Sequence, residues 1–138
     1  MGYLRWSLIA LFAYSLVAPL MKIATEEIPT NVAVMVSNTM LVLAAAALIV
    51  TTDESVMAYL THPRAPYLYV AGIALAVGIL AYYKALALGP VSVVTPIFGM
   101  FLALSSLVGF LVLGESVTAR KGLGLLFAVA AVYLSAGQ

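Results

Sequence analysis

An apolar run of about twenty residues, enough for a helix to cross a hydrocarbon core of roughly 30 Å, recurs five times along this chain. The runs lie at Tyr3 to Ala24, Thr30 to Val50, Pro66 to Leu88, Val91 to Leu113 and Ala119 to Ala136. Each is too long for a spanning strand and lacks the alternation of a membrane barrel, so helices are expected. Composition decides the solvent: 8% of the residues are charged, against about 25% in a soluble domain. The expected fold is all-α, a polytopic membrane protein built as a bundle of five transmembrane helices, with 1–138 as a single domain. With most of 138 residues committed to lipid, no room remains for a separate soluble catalytic domain.

The connections carry residues that stop helices. Glu26, Glu27 and Pro29 part the first two runs, and Gly89-Pro90 joins the third to the fourth, glycine closing one helix and proline opening the next. Gly114 to Thr118 separates the last two, with Thr118 as the expected N-cap of the fifth helix. The second connection, Thr51 to Ala65, is longer. Thr51 and Glu54 have capping-box spacing, and Val56, Met57 and Leu60 share a helical face, so either a short interfacial helix ended by His62-Pro63 or a solvated loop is expected. The first run carries Arg5 ahead of an apolar stretch, as a signal peptide would, but holds Pro19 and Lys22 and lacks a small-residue cleavage site, so it is read as a retained helix.

Charge excludes one class of function and orients the chain. A net charge of +1 supplies no basic surface, so no nucleic-acid partner is expected. Five spans put Arg5, Arg64, Arg120 and Lys121 on one side and Lys22 and Lys84 on the other, which favours the N-terminus inside and leaves a weak bias. With no cysteine, one histidine and no acid within a span, no catalytic, metal or cofactor site is expected.

Polar residues inside the runs are the candidates for function. Lys22 and Lys84 each stand near the end of a run, where a lysine either snorkels to the interface or faces a cavity and attracts a carboxylate or phosphate. Tyr14, Ala18 and Lys22 step by four and share a helix face. Pro19 and Pro96 leave carbonyls without their usual donors, as in the kinked helices that line transporter cavities. Ser37 and Asn38, Tyr82 and Tyr83, and Ser92 with Thr95 complete the set; tyrosines also anchor at interfaces, and Ser or Thr can bond their own backbone. Tyr82 and Lys84 lie about 200° apart on a helix, so both cannot face one narrow cavity. Glu115 is expected to cap the last helix or to pair with Arg120 or Lys121.

Small residues form two stripes suited to close helix contact: Ala71, Ala74, Gly78, Ala81 and Ala85 in the third run, and Gly124, Ala128, Ala131 and Ser135 in the fifth. One stripe can be satisfied within the chain and the other, on the fifth helix, by a second subunit; alternatively both are internal or reflect alanine-rich composition.

Taken in order, the first helix ending Ala18-Pro19-Leu20-Met21-Lys22, the segment from Tyr82-Tyr83-Lys84 through Leu88-Gly89-Pro90-Val91 to Thr95-Pro96-Ile97, and Leu113-Gly114-Glu115-Ser116-Val117-Thr118 resemble the EamA-type domain of the drug/metabolite transporter superfamily. The resemblance covers nearly the whole chain as one half-size, five-span unit. It implies a secondary transporter of small polar metabolites in the bilayer, working by alternating access as a homodimer, with an antiparallel arrangement open. A multi-pass place in a prokaryotic cell membrane is expected. Substrate-binding residues are then Tyr14, Lys22, Asn38, Tyr82, Lys84 and Thr95, with anionic substrates favoured by the lysines and the first four helices lining the path. Two alternatives stand beside it: a non-transporting membrane subunit, and a small-multidrug-type exporter, whose acidic first-helix residue this chain lacks.

Overall fold

A computed structural model describes residues 2–114, 116 and 118–136, with the backbone alone at 135 and 136. The order is α1 (Gly2–Ala24), α2 (Thr30–Thr52), α3 (Val56–Leu60), α4 (Ala65–Leu88), α5 (Val91–Val112) and α6 (Ala119–Ala136), with no strand among the described residues. Four of these, α1, α2, α4 and α5, are long and apolar enough to cross a membrane. The chain divides into two compact units, Met1–Ala87 and Leu88–Gln138.

In the first unit the buried side chains, Ala65 at the start of α4 apart, gather at one end. Ala18 and Met21 come from the last turns of α1, Ala33 and Val34 from the first turn of α2, and Tyr82, Tyr83 and Leu86 from the last turns of α4. Leu86 is completely enclosed. In lipid the association of helices is driven by packing, not by escape from water. Away from this end the three helices are exposed along nearly their whole length. The third-run stripe is part of that exposure: Ala71, Ala74 and Ala81 are uncovered, and a Cβ built on Gly78 meets nothing within 4 Å. Hydroxyls on the exposed faces are satisfied by their own helices, as with Ser7 to the Tyr3 carbonyl at 2.9 Å and Thr39 to Met35 at 2.7 Å.

The long connection holds the short helix α3, but its capping differs from the expected one. The α2 helix runs on to Thr52, so Thr51 is an interior residue whose hydroxyl donates to the Leu48 carbonyl at 2.7 Å, and it cannot cap a following helix. Asp53 ends α2 in the left-handed region at φ 54°, and Ser55 stands at the N-cap of α3. The Pro63 turn is closed by the Ala65 N–H on the His62 carbonyl at 2.8 Å, and the Tyr69 hydroxyl ties α4 to the end of α3 through the Leu60 carbonyl at 2.6 Å.

In the second unit α5 and α6 pack together, with Ala103 and Gly109 of α5 buried. Gly114, at φ 68°, turns the chain after α5. Thr118 caps α6 as expected: its hydroxyl accepts the Lys121 N–H at 3.3 Å and its carbonyl the Gly122 N–H at 3.0 Å. Lys121 reaches back to donate to the Ser116 carbonyl at 3.0 Å and lies 5.4 Å from the Phe110 ring centre. Glu115 lies outside the described residues. Between the units, Gly89 does not take a positive φ, because the residue ahead of a proline is pushed toward extended backbone; Pro90 holds the N-cap of α5 at φ −71°, ψ 141°.

Candidate functional site

The polar residues of the first unit converge where its helices pack. Tyr83 is buried, and its side chain lies beside Ser37 of α2. Ser37 donates to the Val34 carbonyl of its own helix at 3.2 Å. Asn38, half-buried beside it, donates its amide N–H to the same Val34 carbonyl at 2.9 Å, which turns its amide oxygen to other partners. Tyr14 of α1 lies within electrostatic range of Tyr83, yet its own side chain is 71% exposed.

Lys22 closes the same end. Its ammonium donates to the Ala87 carbonyl of α4 at 3.3 Å. Ala87 belongs to the last turn of α4, where carbonyls have no intrahelical donor and the helix presents its negative end. A cation in the last turn of α1 thus satisfies an orphan carbonyl of α4 and joins the two helices, a role that spacing along one helix could not reveal. A second helix pair at this end, α2 and α4, meets through the polar side chains of Ser37 and Tyr83, so α1 to α4 and α2 to α4 each have a polar contact.

On α4 the structure separates the two groups that helical geometry said could not share a cavity. Tyr82 and Tyr83 are buried with Leu86 on one face, and Lys84 is exposed on the other. The first unit therefore sets Tyr83 beside Tyr82 and Ser37 and within electrostatic range of Tyr14, ties Lys22 to the end of α4, keeps Asn38 on its own helix next to Ser37, and leaves Lys84 exposed. Tyr83 was legible as a polar residue of the span; its pairing with Ser37 was not, because that depends on the rotation of two helices.

The remaining candidates are placed one by one. Pro19 is exposed inside α1 and Pro96 half-buried inside α5; both helices continue through their prolines without unwinding. Thr95 is half-buried in α5. Gly124 and Ala128 are exposed and line, with Ala103, Ser106 and Phe110 of α5, a groove of about 330 Å³. A Cβ on Gly124 would meet nothing within 4 Å, so this stripe is not closed by α5. Ala131 is exposed, and the Ser135 side chain lies outside the described residues.

The sequence signature of the EamA-like transporter family matches residues 1–137. Comparison with curated proteins and with solved structures returned no match.

Proposed function

The chain belongs to the EamA-like transporter family, whose members are integral membrane transporters and not enzymes, and from this we propose that it moves small polar metabolites by alternating access as a dimer. The observation that carries the reading is Tyr14. It stands twelve residues into α1, about 18 Å along a helix of roughly 34 Å, and is 71% exposed. A phenol at that depth facing hydrocarbon would lose its hydrogen bonds to water at a cost of about 1 to 3 kcal/mol. A water-filled path or a second subunit over this face removes the cost.

From Tyr14 the polar track continues through Tyr83, Ser37 and Asn38, and Lys22 stands about 12 Å further along α1 than Tyr14. Along this track hydroxyl and amide groups exchange hydrogen bonds with a polar solute, and the single ammonium favours anions over cations. Tyr82 supports the track from the buried face of α4. Lys84, exposed and about 6 Å short of the end of α4, is assigned to the membrane interface. The fifth span is α6, 18 residues or about 27 Å long, with Arg120 and Lys121 in its first turn at the boundary. Its small-residue face at Gly124, Ala128, Ala131 and Ser135 is the proposed dimer contact.

Purified protein in liposomes tests this by counterflow against a panel of anionic and neutral metabolites. Exchange of at least one anionic solute is expected, about tenfold slower in Tyr83→Phe and near wild type in Lys84→Ala. Failure of every solute to exchange, with the protein folded, would support a subunit without transport of its own.

A further inference from the structure

We propose that the end of the first unit opposite the polar track binds one phospholipid, its phosphate on Arg64 and an acyl chain in an adjoining apolar groove. Two concavities meet there. The first, of about 660 Å³, is lined by Arg64 and His62 of the turn before α4, by Tyr59 of α3 and by Tyr67 of α4. The second, of about 220 Å³, is lined by Ile49 of α2, by Val56 and Leu60 of α3 and by Tyr69 of α4. Tyr59 and Leu68 border both, so the two form one amphipathic surface, cationic and hydroxyl-rich at one end and apolar at the other.

The chemistry of the first concavity suits a phosphate. The Arg64 guanidinium offers paired donors that match two phosphate oxygens. His62 accepts the Arg64 backbone N–H through Nδ1 at 3.2 Å, which places the proton of the neutral ring on Nε2, ready to donate. Glu54, the carboxylate of this surface, lines only the apolar groove, so an anion is directed to the Arg64 end. The hydrogen bond from Tyr69 to Leu60 fixes α3 against α4 and keeps the groove open.

Position favours a lipid over a soluble phosphate. Ile49 is near the end of α2 and Arg64 just ahead of α4, helices about 34 and 36 Å long, so both mark the boundary of the hydrocarbon. Arg64 lies on the side that the positive-inside bias assigns to the cytoplasm, where anionic lipids lie.

Native mass spectrometry of the detergent-solubilised protein, titrated with phosphatidylglycerol or with glycerol phosphate, tests the site. Wild type is expected to retain phosphatidylglycerol at lipid concentrations at least tenfold below those needed by Arg64→Gln, with Arg64→Lys between them. Arg5→Gln, a loss of charge at the same end of the unit but outside the concavity, is expected to match wild type. Leu68→Trp, which fills the shared border, is expected to weaken the lipid and not glycerol phosphate. Equal lipid retention by wild type and Arg64→Gln, an equal loss in Arg5→Gln, or glycerol phosphate binding as tightly as the lipid would each overturn the proposal.

Discussion

Gly114 illustrates a residue fixed by backbone geometry alone: at φ 68° it turns the chain after α5, and a Cβ there meets nothing within 4 Å. Gly114→Ala should therefore cost about 1 kcal/mol through conformation and nothing through crowding, read as a lowered midpoint of denaturant unfolding in detergent. Lys22 is the opposite case, held by what it touches. Lys22→Met removes the donor to the Ala87 carbonyl and should destabilise the first unit by about 1 to 2 kcal/mol, below the full worth of a charged hydrogen bond because the lysine is half-buried. Unaltered stability would show that this tie is replaced by water. Lys22 and Lys84 looked equivalent in the sequence, each a cation near the end of an apolar run. What separates them is the neighbour: an orphan carbonyl of α4 lies within reach of one, while the other stands on an exposed face.

At the scale of elements, the sequence reported where helices stop and was silent on how they are turned. The expected runs ended at Ala24, Val50, Leu88, Leu113 and Ala136; the helices end at Ala24, Thr52, Leu88, Val112 and Ala136. Glycine, proline and charge impose these limits on the backbone locally, so they are legible without tertiary structure. Rotation is different. Lipid is as apolar as a helix interface, so α4 is hydrophobic on all sides and no stripe marks its buried face. Its alanine and glycine stripe suggested one face, and the structure buries the tyrosine face. The α5–α6 pair makes the distinction testable. Ala103 is buried against its surroundings, so Ala103→Leu should overpack the second unit and cost about 1 to 3 kcal/mol. Gly124→Leu, where a Cβ meets nothing within 4 Å and the groove beside α5 has room, should change unfolding little and weaken the dimer if α6 is the contact. Unchanged dimerisation in Gly124→Leu by size-exclusion chromatography with light scattering would move the interface off this stripe.

For the whole molecule the deciding quantity is the parity of its spans. Among the described residues four helices are long and apolar enough to cross, and α6, at 18 residues, sits at the lower limit of length. If α6 crosses, the two ends of the chain lie on opposite faces; if it rests in the interface, they lie on the same face. Its charges make a clear expectation possible. Arg120 and Lys121 occupy its first turn, and Lys121 is held there by the Ser116 carbonyl and the Phe110 ring. The fourteen residues from Leu123 to Ala136 are uncharged, with mostly exposed apolar side chains, where an interfacial helix would carry a charged face along its whole length. An anchored, basic first turn followed by an apolar remainder describes a span entering from the positive side. Reporter tags fused at the two ends should then be protected on opposite sides of sealed vesicles. Because only Arg5, Arg64, Arg120 and Lys121 oppose Lys22 and Lys84, the bias is weak, and adding two lysines beside Arg64 should sharpen a mixed population toward one orientation. Tags that remain equally accessible from the same side after that addition would reject the fifth crossing, and with it a dimer built on the α6 stripe inside the bilayer.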